Sequence, residues 1–599
     1  MRYDSVVRAM VIAIGAVVVA TGCGRLDFAV GQGSGIAGGG CGDPNEPNDS
    51  AGDATPLALG GSIAATLCTG DVDVYAVTLS AGDELAATIT PTGAGYPTLR
   101  ILGTDGVTAR AVETLDSTAA AFADHDGTFY VAVAGLPTAA GTPYQLSVAL
   151  RPGNHVYIAP NGDDTAPGTF ARPWRNFDGA VGKLVPGDVL VLEDGVYGPD
   201  HGRIVANCAN GQVSGTQDQP IRIVALSERL AEVDGDGQNP TALIEGGCQW
   251  WTIEGLHLES TTVASATISQ PLEIDGSTNI VARRLLVRHN NADTNSAVLQ
   301  VYNSSHILVE ECEAYDYTLG GIAVANGSDI TIRRNFVALG HNSGFSTWGT
   351  TNAVFENNMD DGGGGFSFDD GYGGDTIDTF VLGNVSRANG FGLISSIFDT
   401  TTNHNIGLQI ADHVSLGSTD YGYYLRSNEQ ASCTRCTALD SAMVGWDADE
   451  LPNQPQIMGS SSCTNCLMVN DGNTGFDINA QRAGWSITSS NAFGNTTNFE
   501  PSGVPELVDP NEVDPALGGC QVYAPSGSPM ATANVGAQIL YRYVDGALTR
   551  TPLWHPITGA FACGAVVPGV NDDPATSCVG LSQRVHVGTA DCPLPYPAP

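Results

Sequence analysis

The chain is short of charge, of aromatic rings and above all of lysine. Charged residues make up only 15% of its 599 positions and aromatic ones 7%. A surface helix needs a charged face opposite its apolar stripe, so a chain this poor in charge is not built mainly of amphipathic helices. Basic residues number 24 against 64 acidic ones, a formal net charge of −40. A surface of that sign repels nucleic-acid phosphates and anionic lipid headgroups, which excludes nucleic acid as a partner. Lys183 is the only lysine, so no position beyond it can offer a lysine base. What is abundant is glycine, 75 residues, including the run Gly362-Gly363-Gly364-Gly365. Glycine tolerates the positive φ of tight corners, and many corners over a β core suit this composition.

A repeat organises those corners. Ile280-x-Ala282-x-x-Leu285-x-Val287, Ile307-x-Val309-x-x-Cys312-x-Ala314, Ile330-x-Ile332-x-x-Asn335-x-Val337 and Ala353-x-Phe355-x-x-Asn358-x-Asp360 follow one another at 23 to 27 residues. Alternation puts Ile330 and Ile332 on one face of a strand, and the two-residue gap then turns a corner into a second short strand. One such unit per period predicts an all-β solenoid, a parallel β-helix with one coil per repeat. Asn335 and Asn358 fall at the same corner of neighbouring coils, where stacked amides can satisfy one another.

The N-terminus reads as an export signal. Arg2 and Arg8 precede the apolar run Ala9 to Ala20, which is too short to span a bilayer. Ala20-Thr21-Gly22-Cys23 resembles a bacterial lipoprotein lipobox, although Ala20 stands where that motif prefers leucine. The resemblance implies removal of residues 1–22, a lipid on Cys23 and a membrane contact made through that lipid alone. Gly24 beside it, rather than Asp, implies an outer-membrane or cell-surface location. Export sets the reading of the remaining cysteines as disulfides. Cys41/Cys68, Cys208/Cys248, Cys520/Cys563 and Cys578/Cys592 are plausible local pairs. Cys433-x-x-Cys436 and Cys463-x-x-Cys466 lie 30 residues apart, about one coil. Residues at i and i+3 of a strand face opposite sides, so rungs Cys433–Cys463 and Cys436–Cys466 between coils are expected ahead of a zinc or redox use. Cys312 is left over as a buried thiol.

Composition divides the chain further. Residues 23–42 are a Gly-rich tether. Within 43–150, Asn45-Glu46-Pro47-Asn48-Asp49-Ser50, Asp71-Val72-Asp73-Val74-Tyr75, Leu79-Ser80-Ala81-Gly82-Asp83 and Phe129-Tyr130-Val131-Ala132-Val133 resemble the bacterial pre-peptidase C-terminal domain. That resemblance implies a small β-sandwich accessory module, with a structural turn at Asp71 and Asp73 the reading ahead of a calcium site. Val156-Tyr157-Ile158-Ala159-Pro160-Asn161-Gly162-Asp163, then Pro186-Gly187-Asp188-Val189-Leu190-Val191-Leu192 and Asp194-Gly195-Val196-Tyr197, resemble the opening of the pectate-lyase-like right-handed parallel β-helix superfamily. The likeness covers 155–500 and implies a short capping helix near Asp178 to Leu184. Residues 501–599, rich in Pro and Gly, are expected as an irregular, disulfide-stapled C-terminal cap.

Function has to come from a site, because the β-helix serves many activities. Asp316, His341, Asp369 and Asp370, Asp399 and Arg426 recur at about coil spacing, with Tyr315, Tyr317, Trp348, Tyr372, Tyr421 and Tyr423 in the same region. Carboxylates, an arginine and rings in a groove match a polysaccharide site, since rings stack on sugar faces and charges handle protons. The expected catalytic set is His341, Asp369, Asp370, Asp399 and Arg426, with Tyr372, Tyr423 and Trp348 as platforms. Asp369 and Asp370, and Asp447 and Asp449 after Trp446, are candidate calcium ligands. Solenoid turns are polar in any case, so coil spacing arises without a site too. The lyase branch of the superfamily implies proton abstraction beside a uronate; without a coil lysine the base is left to Arg387 or Arg426. The polygalacturonase branch implies clustered aspartates, but its Gly-His-Gly and Arg-x-Lys motifs are missing. The reading is a monomeric, surface-anchored protein that binds and cleaves an extracellular polysaccharide; the alternative is a non-catalytic, adhesin-like glycan binder.

Overall fold

The computed structural model describes residues 42–593 except 69–70, 94, 113–116, 138–139, 236–239, 261–269, 290–296, 370–373, 388, 397–404, 427, 450–460, 479–484, 501–506, 509, 517–529, 531–534, 538–540, 545–546, 553–583 and 588–589. The lipidation candidate Cys23, together with Cys41, Cys520, Cys563 and Cys578, therefore lies outside the described residues.

From residue 154 the chain winds through three parallel sheets, one strand in each per coil. The first face carries Thr278–Arg283, Ser305–Glu310 and Ser328–Arg333; the second carries Leu286–His289, Glu313–Tyr315 and Phe336–Ala338; the third carries Ala297–Tyr302, Gly320–Ala325 and Ser343–Trp348. Ile280 pairs with Ile307, Ile307 with Ile330 and Ile330 with Ala353, as the repeat predicts. Ile330, Ile332, Asn335 and Val337 are all fully buried, so both arms of the repeat point inward. The turn between them is made by one left-handed residue per coil: Arg284, Glu311, Arg334, Asn357, Asp412, Arg435, Asn465 and Ser489 have φ between 50° and 58°. Left-handed backbone costs a non-glycine residue of the order of 1–2 kcal/mol, and the stacked ladder beside it offsets that. Asn335 Nδ2 donates to Asn358 Oδ1 at 3.0 Å, and Asn358 Nδ2 to Asn384 Oδ1 at 3.0 Å. Asn384 extends the ladder by a coil beyond the expectation.

That corner corrects the cysteine pairing. Cys433 is bonded to Cys436 and Cys463 to Cys466, each disulfide within its own coil. The expected rungs Cys433–Cys463 and Cys436–Cys466 assumed that i and i+3 face apart, which holds in a straight strand. Arg435 and Asn465, at φ 53° and 56°, turn the chain so that both cysteines face inward. Cys208–Cys248 forms as expected, Cys68 is disulfide-bonded, and Cys312 is a buried free thiol. The expected pair of Cys578 with Cys592 is not among the described disulfides. Cys592 sits in the strand Ala590–Pro593, in register with Val585 of the antiparallel strand Arg584–Val587, whereas Cys578 falls outside the described residues.

Charge is ordered on the outside of the first face. Glu254, Arg283, Glu310, Arg333 and Glu356 are in register on successive coils, alternating in sign. Arg283 Nε and Arg333 Nε donate to the two carboxylate oxygens of Glu310 at 2.9 and 2.8 Å, and Arg334 adds an ion pair at 2.8 Å. In a parallel stack a repeated charge would face its own kind every ~4.8 Å, so alternation turns repulsion into pairing.

Helix Phe177–Val181 closes the N-terminal end with Phe177, Ala180 and Val181 in the core. Residues before it form a β-sandwich of a five-stranded and a four-stranded sheet, with Tyr75, Leu85, Leu99, Phe129 and Leu146 between them. The sandwich docks on the first face: Phe122 packs against Tyr157, Val189, Val191, Val224 and Leu226. Beside that patch Arg222 grips Glu84 through both carboxylate oxygens at 2.8 and 2.7 Å. At the far end Asn511 pairs with Asn491, and Gly536 and Ala537 donate to Asn465 O and Thr437 Oγ1. The sandwich thus covers the first face of the early coils.

Candidate functional site

The strands of the third face present successive residues to opposite sides. Two columns of residues in register run along it. In one, Glu273, Gln300, Ala323, Ser346, Ser367, Ile394, Tyr424, Asp447, Asp477 and Glu500 succeed one another coil by coil. The other, two residues on, runs through Tyr302, Ala325, Trp348, Asp369 and Ser396. Ser395 pairs with Leu425 and Arg426 with Asp449, so Arg426 and Asp449 continue this second column. Backbone register therefore puts Trp348, Asp369, Arg426 and Asp449 in one line, with Asp447 in the line beside it.

Other expected members are elsewhere. His341 is exposed at the opposite end of the strand Ser343–Trp348, before it begins, with Asp316 on the same rim in an ion pair to Arg288 at 2.7 Å. Asp370, Tyr372 and Asp399 lie outside the described residues. Tyr423 is fully buried, its hydroxyl donating to His413 O at 2.8 Å, so it is a core residue and no platform. Tyr315 and Tyr317 are buried as well. Arg387, one candidate base, is buried in an ion pair with Asp361 and takes no part in a groove.

Beside Tyr302 and Trp348, both half-buried, three rings cluster on this face: Phe391, Tyr421 and Tyr424. Tyr421 and Tyr424 stack at 4.6 Å between centroids and 18° between planes; Phe391 lies 5.8 Å from each, at 6° and 13°. Phe391 and Tyr421 are half-buried and Tyr424 is buried at 8% exposure, a near-parallel aromatic step along this face. Sequence reasoning took Tyr423 for Tyr424; the alternation with Leu425, which is buried, held the signal, since Tyr423 and Leu425 share a face. The next coils along the column carry Asp447, Asp477 and Glu500, one strand spacing of ~4.8 Å apart. Neighbours in that row span ~5 to 10 Å, the separations at which two carboxylates can serve one glycosidic bond.

Carboxylates also converge in the sandwich. Asp43, Glu46, Asp71 and Asp73 each bring an oxygen within 4.8 Å of the others. Burial, with the nearby Asp71 and Asp43, pushes the Asp73 carboxyl up to about 9. Asp73 Oδ1 and both polar atoms of the fully buried Asn48 lack hydrogen-bond partners. An all-oxygen donor set with orphaned buried oxygens fits a hard cation such as calcium.

Comparison with known proteins follows the fold. The crystal structure of pectate lyase Pel9A aligns at 14% identity and TM-score 0.39 over 67% of this chain and 88% of its own. The catalytic domain of a GH87 α-1,3-glucanase in complex with nigerose aligns at 11% and 0.36 over 76% and 91%, and a rhamnogalacturonan lyase at 15% and 0.30 over 67% and 96%. No curated protein matches the sequence. Residues 156–506 match the family described as Pel9A-like, right handed beta helix region. The solenoid, its stacked inward repeat and this match over more than half of the chain show that the protein belongs to the Pel9A-like right-handed β-helix family.

Proposed function

We propose that the protein binds an extracellular polysaccharide along the third face and cleaves it as a lyase or glycoside hydrolase. The observation that carries this reading is the stacked step of Phe391, Tyr421 and Tyr424, continued along the same face by Asp447, Asp477 and Glu500. Flat rings on a rigid sheet suit the apolar faces of sugars, and carboxylates at coil spacing suit proton transfer. Asp369 and Arg426 serve as acid and as base or uronate clamp. The single lysine, Lys183, lies over the Trp174 ring beside the capping helix, so lysine chemistry has no part on the coils. Calcium is held by Asp43, Glu46, Asp71 and Asp73 in the sandwich, which serves as a pre-peptidase-type accessory module, and by Asp447 and Asp449 on the solenoid. A lipid on Cys23 tethers a monomeric chain to the outer membrane, with residues 24–42 as spacer.

Purified protein screened on uronate and neutral polymers with calcium should release unsaturated product, read by its absorbance, or reducing ends. Tyr424→Ala should weaken retention in a polysaccharide-containing gel by roughly fivefold, as loss of about 1 kcal/mol of stacking implies. Retention without any product would favour the adhesin-like reading; no retention on any polymer would sink both. Cys23→Ser should move the protein from membrane to soluble fraction, and unchanged detergent partition would remove the lipid anchor.

A further inference from the structure

The geometry points to a metal site inside the solenoid: in the reduced chain, we propose, Cys433, Cys436, Cys463 and Cys466 form one thiolate cage for a tetrahedral ion of zinc type. All four side chains are at most 1% exposed. Cys433 and Cys463 are register partners on adjacent strands of the first face. The sulfurs of Cys433, Cys463 and Cys466 lie within 4.8 Å of one another; Cys436, bonded to Cys433, stands outside that group and joins it by turning towards those sulfurs once the bond is reduced. Cys466 Sγ reaches back to Cys433 O at 3.8 Å, so it sits between the two coils. The left-handed corners at Arg435 and Asn465 aim both cysteines of each pair into the core, which removes the objection that i and i+3 diverge. Thiolates only, in a closed dry site with no open position, is the donor set of a structural zinc.

The disulfides seen in the structure leave room for this second state. Each closes a loop of three residues within one coil, and short loops constrain the unfolded chain least. Neither bond ties one coil to the next. A single ion held by cysteines from both coils would do so. The two states interconvert in balance: each disulfide takes two electrons and two protons from a small dithiol, which is itself oxidised to a disulfide. The four resulting thiols then release four protons as they bind the divalent ion. His413, fully buried with an unpartnered Nδ1, occupies the same corner one coil before Cys436. The inward neighbours on the first face are Ile410 before Cys433 and Ile487 after Cys463, so these two sulfurs are flanked by apolar walls.

The test uses the full chain, unfolded, reduced with a dithiol, and refolded by dialysis without air against zinc sulfate or a cobalt(II) salt. One zinc per chain by elemental analysis is expected, and a sulfur-to-cobalt charge-transfer band in the cobalt form. The same chain refolded in air should carry neither. Cys433→Ser with Cys463→Ser should lose the metal, while Cys208→Ser with Cys248→Ser keeps it. A reduced chain with the parallel-β circular dichroism of the oxidised protein and no bound metal would overturn the proposal. So would metal retained in the Cys433/Cys463 double variant. If that variant does not fold, the wild-type cobalt spectrum decides: oxygen or nitrogen donors alone would overturn the cage.

Discussion

Asn335, Asn358 and Asn384 occupy a position where one buried amide alone would be left wanting partners. Asn358 accepts from both the backbone N–H and the side-chain amide of Asn335, and donates to Ile332 O at 2.8 Å. Asn358→Ala removes the acceptor for two buried donors, each costing about 1–3 kcal/mol when orphaned. We expect a loss of roughly 2–4 kcal/mol in chemical denaturation; a change below ~0.5 kcal/mol would mean that the ladder is ornamental. The ladder was legible in the sequence because its members recur at the repeat's own spacing. The cysteine pairing was not, since it hangs on the φ of one intervening residue, and arginine or asparagine at Arg435 and Asn465 does not announce a left-handed corner as glycine does. Tyr423 and Tyr424 differ by one step of alternation, and that step decides between core and surface.

A single coil is the smallest unit that buries anything, and its inward residues answer to the coils on either side. Ile332 is fully buried and pairs with Val309 before it and Phe355 after it. Ile332→Asp puts an unpaired carboxylate between them, and breaking a core in this way costs about 3–5 kcal/mol or more. The expected outcome is a lower melting temperature with faster amide exchange centred on the coils from Ser305 to Glu356; protection unchanged there would count against the stacking. The alternating ladder of Glu254, Arg283, Glu310, Arg333 and Glu356 was not read from the sequence. Each member looks like an ordinary turn residue until the coils are laid in register.

At the scale of the molecule, the sandwich and the solenoid are joined by a buried ion pair. Burial alone would raise the Glu84 carboxyl, but hydrogen bonds from Arg222 and His155 and the charges of Arg222 and Arg151 outweigh it and hold Glu84 down at about 2. A carboxyl with a folded value below its ordinary 4.5 stabilises above that value and loses the contribution as pH falls towards about 2. Acid should therefore loosen the docked sandwich through that window, seen as limited proteolysis near residues 150–155. Arg222→Ala should bring the same loosening at neutral pH, with a cost of roughly 1–3 kcal/mol because Arg151 still pairs with Glu84 at 2.9 Å; equal protease resistance of variant and wild type would show the joint to be carried by Phe122 and its neighbours alone. The calcium proposal makes a separate prediction. A chelator should lower the sandwich transition in calorimetry by several degrees and added calcium should restore it, with Asp73→Asn insensitive to both. A transition unmoved by either would remove calcium from Asp43, Glu46, Asp71 and Asp73.

Local alternation and period were enough, from sequence, for the solenoid, its inward residues and the amide ladder, because each follows from where a side chain points relative to its own near neighbours. The docked face, the charge ladder, the intracoil disulfides and the aromatic step of Phe391, Tyr421 and Tyr424 came only with the tertiary structure. They depend on the handedness of corner residues and on the register between coils. In a solenoid those two quantities convert positions 23 to 30 residues apart into neighbours, and no local pattern in the chain carries them.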